Sequence, residues 1–385
     1  MSKDYFFNEE HDAFRETMRR FVVKEIEPKI DEWEEAGCYD RSIFNRMGEL
    51  GLLGLSYPVE YGGADADNKM SVVFWEELVH CGALGFPMSV MVQTDMATPS
   101  LNHVGTKAQK EKYLKGACSG ELLIAIGMTE PNYGSDLANI ETRAILKGDH
   151  YRVNGTKMFI TNGTKANVIN ALVRTGGPGY KGCSLLLIDT DTPGFSIGKK
   201  LHKMGNLSSD TAELVFEDCL VPKENLLGKE GEGFYALMGG LEKERQTTCA
   251  LSYMAAQVAL EESIKYAQAR IQFKKPIIAH QVIAHMIAEM ATDVEAMRRI
   301  FYHAAALYDA KIPCNREVSM AKLFCTETAL KVIDKAVQIH GGYGYMREYK
   351  VERLYRDIKL MTIGAGTSQV MKHVITREMG LRTGE

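Results

Sequence analysis

The 385-residue chain is predicted to be an α+β multidomain protein. An N-terminal α-helical domain spans residues 1–122, a central β-barrel-like domain 123–231, and a C-terminal four-helix bundle 232–385. Three features predict this order. Apolar residues recur at helical spacing through the first third. Near Leu122 the pattern changes to alternation and short continuous apolar runs. After the glycine-rich linker Gly228–Gly233 the helical spacing returns and lasts to the end. The length suits two or three domains with ample core.

Asn8 is placed to cap a first helix whose stripe is Phe14, Met18, Phe21, Val22 and Ile26, ending near Pro28. Further helices are expected at Arg41–Leu53, Met70–Cys81 and Lys107–Ala117, joined by turns such as Gly62-Gly63. In the middle section Tyr151–Gly155 alternates and turns, Ser184–Ile188 is a buried-type run, and Glu213–Glu217 alternates again. Gly148-Asp149 and the Gly176–Gly179 cluster supply hairpin connections. Periodic segments at roughly 234–271, 281–310, 315–338 and 366–379 suit an antiparallel bundle.

A formal net charge of −4 and a pI near 6.2, with acids and bases interspersed, leave no nucleic-acid footprint and no polybasic membrane segment. Hydrophobic content of 45% and charged content of 25% are those of an ordinary globular chain. No apolar run reaches the roughly 18 residues of a membrane span. The opening stretch carries acids and lacks an apolar signal core, and the eight scattered cysteines form no C-x-x-C pair. A cytoplasmic, reducing setting without a zinc site or disulfide framework is therefore expected.

One residue is out of place. The stretch Phe234–Leu260 reads as a helix with Phe234, Leu237, Leu241, Thr248, Leu251 and Ala255 on one stripe, and Glu244 lies near the middle of it. A carboxylate on packed apolar surface is costly unless it is paired or kept for chemistry. Helix geometry leaves both readings open: an acid paired with Arg245 or set at the rim of a cleft, or a proton acceptor.

Other motifs are weaker alone. Gly177–Gly182 matches G-x-G-x-x-G but leads into a strand instead of opening a helix, so it reads as a hairpin loop. No P-loop, G-x-S-x-G or H-E-x-x-H occurs, which removes the usual nucleotide-hydrolase, serine-hydrolase and zinc-protease readings. Met128–Asp136 is a polar loop after an apolar strand, and Lys157–Gly163 a strand ending in an aromatic, a hydroxyl and a turn. Arg270–Phe273 ends a helix, where an arginine offsets the helix dipole. Gln338–Tyr345 joins two helices through permissive glycines. Gly364–Gln369 opens the final helix, whose free N–H groups are open to an anion or a carbonyl. Singly, each reads as structural.

Together they do not. T-E-x-x-x-G-S-D at Thr129–Asp136, R-x-x-F at Arg270–Phe273, Q-x-x-G-G-x-G at Gln338–Gly344 and G-T-S-Q at Gly366–Gln369 resemble the acyl-CoA dehydrogenase family of flavoproteins. The resemblance spans nearly the whole chain, and Lys200–Gly205 followed by Asp210–Leu214 looks most like the long-chain branch. It implies a helical, β and four-helix-bundle arrangement, FAD as cofactor and a homotetramer. The implied reaction oxidises an acyl-CoA thioester to the trans-2-enoyl-CoA: a glutamate removes the α-proton while the β-hydrogen leaves as hydride to FAD. Hydrogen bonds to the thioester carbonyl acidify the α-proton, and water exclusion strengthens the base.

Many members carry that base in a Tyr-Glu-Gly-Thr pattern before the last helix. Here the pattern reads Gly364-Ala365-Gly366-Thr367, without an acid. The long-chain and isovaleryl branches carry it on the bundle helix directly before an arginine, matched by Glu244-Arg245. The resemblance thus makes Glu244 the base and leaves Ala365 to offer its backbone N–H to the thioester carbonyl. It carries FAD binding onto Met128, Thr129, Ser135, Phe159, Thr161, Gln281, Gln338, Gly342, Thr367 and Gln369, and onto Arg270 and Phe273 from a neighbouring subunit. Substrate contacts fall to Ser135, Gly364 and Arg245, the last on the CoA portion. Lys274 departs from the family's glycine after Phe273, and Asn206 from its arginine, so no role passes to Asn206. Small residues at Gly364-Ala365 leave room for long or branched acyl chains, and Gly239-Gly240 either widens the acyl channel too or merely relieves crowding. Electron-transferring flavoprotein is the implied acceptor. The alternatives are an acyl-CoA oxidase, a carrier-protein-linked dehydrogenase of the same fold, and a non-catalytic flavin- or CoA-binding relative.

Overall fold

The computed structural model describes residues 6–381, so the outermost ends of the first and last segments lie outside the described residues. Asn8 caps α1 (Glu9–Phe21) as expected: its side chain accepts the His11 N–H at 3.1 Å, and the His11 ring accepts the Asn8 N–H. The helical path does not stop at Pro28. It passes through a π-turn (Val22–Ile26) and a 3-10 turn (Glu27–Lys29), where proline is tolerated, into α2 (Ile30–Ala36). The next helix, α3 (Ser42–Glu49), ends short of Leu53 because the chain turns through Gly51 at φ +70°. Asp67 caps α4 (Asn68–Val79), which is buried on nearly every side. Then α5 (Gly85–Met91), a π-turn (Val92–Ala97) and α6 (Pro99–Val104) form a helical stretch outside the predicted segments. A helix buried all round lacks the polar face that gives a readable period. The predicted helix over 107–117 is present as α7 (Lys107–Gln109), a π-turn and α8 (Lys115–Cys118).

Eight strands form the middle section: β1 (Ile124–Gly127), β2 (Arg143–Lys147), β3 (His150–Thr161), β4 (Val168–Arg174), β5 (Cys183–Asp189), β6 (Phe195–Lys200), β7 (Thr211–Pro222) and β8 (Leu226–Leu227). They make one sheet in the order β6-β7-β3-β2-β4-β5-β8, with β1 parallel to β4. Among the described residues the end strands β6 and β8 do not pair, so hydrogen bonds do not close the barrel-like sheet. Gly148-Asp149 is a two-residue hairpin, with Lys147 opposite His150. The G-x-G-x-x-G segment is indeed the β4–β5 connection, with Arg174 opposite Cys183.

The C-terminal section corrects two expectations. The helix predicted over 234–271 is broken: α9 (Gly233–Met238) ends at Gly239-Gly240 and α10 (Leu241–Ala269) begins after it. Two adjacent glycines carry the highest backbone entropy cost for a helix. Glu244 therefore stands in the first turn of α10, and Phe234 and Leu237 are not on its helix. A single stripe is also too narrow a description, because α10 is buried without interruption from Glu244 to Ala256, packed among α4 and the other bundle helices. After α10 a small hairpin, β9 (Ile271–Gln272) and β10 (Lys275–Pro276), turns through Phe273 and Lys274 at φ +51° and +66°. Lys274 thus keeps the left-handed turn that a glycine would adopt more easily. The remaining helices are α11 (Gln281–Asp309), α12 (Asn315–His340), α13 (Lys350–Ile358) and α14 (Ser368–Glu378). The short α13 was not predicted. Its buried Asp357 accepts the N–H of Leu84, at 2.9 Å, and that of Asn206, which joins all three sections. Among the described residues no helix is long and apolar enough to cross a membrane.

Candidate active site

Glu244 is 4% exposed. Among the described residues none makes a hydrogen bond or ion pair with its carboxylate. The guanidinium of Arg245 is turned away onto α12, where it donates to Asn315 Oδ1 at 2.8 Å and Ser319 Oγ at 3.3 Å. The reading of Glu244 as half of a Glu244–Arg245 pair therefore fails. Burial pushes the Glu244 pKa up to about 7, against the opposing charges of Arg245 and Lys322 and with a smaller push from Asp95. An unpartnered carboxyl poised near neutrality has the properties of a general base.

The loop before α14 is built from α12. Lys322 is wholly buried, and its ammonium donates to the carbonyls of Met361 at 2.8 Å, Gly364 at 3.1 Å and Gly366 at 2.6 Å. Ala365, between the last two, sits at φ +54°. Thr367 then caps α14 by accepting the Val370 N–H at 3.1 Å, while Gln369 is exposed in its first turn. Lys322 was missed in the sequence although a signal existed. Val318, Cys325 and Ala329, at −4, +3 and +7, are all fully buried, so the lysine lies on an apolar stripe just as Glu244 was thought to.

A second group gathers on the sheet. The Met158 N–H donates to Thr129 O at 2.8 Å, and buried Lys157 donates to Met128 O at 3.1 Å and to Glu130 Oε1 at 2.7 Å. Glu130 also accepts the N–H groups of Glu141 and Thr142, at 2.6 and 3.0 Å. Loop 128–142 is thereby fixed beside β3, with Ser135 on its exposed part. In β3 the register shifts between Lys157 and Ile160, and Phe159 takes φ +63° and is 65% exposed. A bulge that turns an aromatic ring outward is a recurrent device at binding sites. Thr161 ends the same strand.

Arg270 and Phe273 line a different cavity, of about 750 Å³, together with His280, Gly341 and Gly342. The guanidinium of Arg270 lies over the Tyr343 ring, 5.4 Å from its centre, and Phe273 is 87% exposed. Gln281 opens α11 beside this cavity, and Gln338 stands in the last turn of α12, accepting the Gly341 N–H on its carbonyl. No residue of loop 128–136 or of β3 is in the cavity wall. Of the two expected halves of the FAD site, that wall holds only the Arg270 half.

Profile models of the acyl-CoA dehydrogenase N-terminal, middle and C-terminal domains match residues 8–121, 125–219 and 231–380. The chain belongs to the acyl-CoA dehydrogenase family. A solved acyl-CoA dehydrogenase from Geobacillus kaustophilus superposes with a TM-score of 0.95 at 43% identity, covering 98% of this chain and 100% of that one. The short-chain-specific acyl-CoA dehydrogenase of Clostridium acetobutylicum is 39% identical over 97% of this chain and 98% of its own length. The long-chain-specific mitochondrial enzyme of Rattus norvegicus is 37% identical over 97% of this chain and 87% of its own. Members of the acyl-CoA dehydrogenase family are FAD-dependent oxidoreductases, and the Arg270 cavity fits part of that cofactor. His280 Nε2 is buried without a partner at the 750 Å³ cavity, and a Cβ added at Gly341 or Gly342 would meet nothing within 4 Å.

Proposed function

We propose that this acyl-CoA dehydrogenase desaturates long or branched acyl-CoA thioesters, with Glu244 taking the α-proton and the Ala365 N–H binding the thioester carbonyl. The observation that carries the reading is the buried, unpartnered Glu244 carboxyl, raised to about 7, in a chain without an acid at position 365. Bound FAD would accept the hydrogen leaving the β-carbon. Met128, Thr129, Ser135, Phe159 and Thr161 would hold its flavin side, with Ser135 also reaching the substrate. Gln281, Gln338, Gly342, Thr367 and Gln369 would hold the rest, with Arg270 and Phe273 acting on a neighbouring subunit's FAD in a homotetramer. The absence of loop 128–136 from the wall of the Arg270 cavity is in keeping with that sharing.

The turn of Arg245 onto Asn315 and Ser319 favours a role in holding α10 against α12 over a direct contact with CoA. Small residues at Gly364 and Ala365 support a wide acyl site, whereas a Cβ added at Gly239 or Gly240 would meet His103 at 3.5 Å or Pro99 at 3.2 Å, so those two glycines relieve crowding. Electron-transferring flavoprotein is the proposed acceptor, in keeping with a 40% identical relative in Acetobacterium woodii that is a subunit of a caffeyl-CoA reductase–Etf complex.

The test is anaerobic mixing of the yellow enzyme with butyryl-, octanoyl-, palmitoyl-, isovaleryl- and citronellyl-CoA while the flavin absorbance is followed. Bleaching is expected with the longer or branched substrates. Glu244→Gln is expected to bind them and keep its colour, with reduction slower by about three orders of magnitude or more. Normal bleaching by that variant would remove Glu244 as the base, and fastest bleaching by butyryl-CoA would remove the substrate assignment. Turnover that is fast with electron-transferring flavoprotein and slow in air separates a dehydrogenase from an oxidase.

A further inference from the structure

We propose that Lys322 is a positioning residue of the dehydrogenation. By holding the Gly364 carbonyl it aims the Ala365 N–H, on the opposite edge of the same peptide group, at the thioester oxygen of the substrate. The inference rests on the roles given above to Glu244 and Ala365.

In a trans peptide the C=O and N–H point in opposite directions within one plane. No peptide bond among the described residues is cis. Fixing the Gly364 oxygen at 3.1 Å from the Lys322 ammonium therefore fixes the direction of the Ala365 N–H. The other two ammonium protons go to Met361 O and Gly366 O, so one buried cation holds three carbonyls of a six-residue loop. That over-determination suits the backbone it holds. Ala365 lies in the left-handed region, which is strained for a residue with a Cβ and persists only where its surroundings impose it. A second tie follows, from Ser368 Oγ to Glu327 Oε1 at 2.5 Å, further along the same helix α12. A cation on the carbonyl also polarises the amide and strengthens its N–H as a donor.

The same charge acts on the base. The charged and titratable groups around Glu244 are Arg245 on its own helix, Lys322 from α12 and Asp95 from the turn after α5; only Asp95 opposes ionisation. Those around Lys322 are Glu244, Arg245 and Cys249 from α10 and Glu327 on its own helix. Burial lowers the Lys322 pKa to about 8, so the ammonium is held against a desolvation cost, and no carboxylate among the described residues is paired with it directly. A buried charge committed wholly to loop carbonyls is expensive unless the loop's geometry matters.

The test compares Lys322→Met, with neither donor nor charge, and Lys322→Gln, with donors but no charge, against the parent. All three are used as flavin-loaded enzyme in the anaerobic half-reaction between roughly pH 6 and 9. The expected result is flavin reduction slower by about 100-fold in Lys322→Met, as for loss of an oxyanion-hole donor, and a smaller loss in Lys322→Gln. Substrate affinity should change little. In both variants the pH at which the rate reaches half its plateau should move upward, because a cation favouring ionised Glu244 is gone. Rates within twofold of the parent at an unchanged pH midpoint overturn the proposal. So does loss of fold or flavin in both variants, which would make the lysine a stability element. If the parent itself bleaches with no acyl-CoA, the dehydrogenase reading fails first and this one falls with it.

Discussion

At the scale of the residue, the chemistry proposed for Glu244 and its effect on stability come from the same proton. The carboxyl titrates near 7 in the folded chain against an ordinary 4.5, because burial disfavours its charged form. Between those values the unfolded chain gives up a proton that the folded chain keeps. The stabilisation from this group is complete below about 4.5 and is lost as pH rises through about 7, a loss of the order of 3 kcal/mol. Glu244→Gln never acquires the charge. Its melting temperature is expected to exceed the parent's at pH 8 and to approach it near pH 5, while parental kcat/KM rises with pH through about 7. A stability difference that is the same at both pH values would contradict the assignment. Glu244 was legible in the sequence as a misplaced acid, but its release from Arg245 was not. Helix phase places two neighbours on a helix without saying that Asn315 and Ser319, some seventy residues on, capture the guanidinium. Lys322 carried the same signal, an ionisable group at apolar spacing, without a motif to draw attention to it.

At the scale of the element, what proved legible was periodicity, and what did not was its interruption. The Asn8 cap, the Gly148-Asp149 hairpin and the long helices α11 and α12 follow from local pattern alone. The break at Gly239-Gly240 depends on a balance between backbone entropy and packing that no local pattern reports. The short α5 lacks a solvated side, so its apolar content has no period to read. The strand β3 gives a test at this scale. Its Lys157 is wholly buried with a pKa lowered by burial to about 8, against the pull of Glu130. Removing one member of such a pair leaves an uncompensated buried charge, at a cost of about 3–5 kcal/mol. Lys157→Met is expected to lower the melting temperature and to release loop 128–142, so that flavin is lost on gel filtration. The double variant Lys157→Met with Glu130→Gln should recover part of both. Full flavin retention in Lys157→Met would show that the loop does not depend on this pair.

At the scale of the whole molecule, the three sections are tied at Asp357, whose two carboxylate oxygens take backbone N–H groups from the helical and β sections. Asn206 belongs to that joint, a role invisible in a sequence where it stood only as a departure from the usual arginine. The broad architecture was readable because composition and period change where the sections meet, whereas the joint between them is purely three-dimensional. That the wall of the Arg270 cavity holds no residue of the Met128 loop has a further consequence. If each flavin is held by two polypeptides, a defect in one polypeptide is a property of the seam and not of the chain. Arg270→Ala alone is expected to lose flavin, and Glu244→Gln alone to keep flavin but not turn over. Refolded together, the two inactive proteins should yield some sites that draw the base from one chain and the arginine from the other. Activity returning on mixing, in proportion to the fraction of hybrid assemblies, would mean that the unit on which mutation acts is the pair. No activity at any mixing ratio would return each site to a single chain.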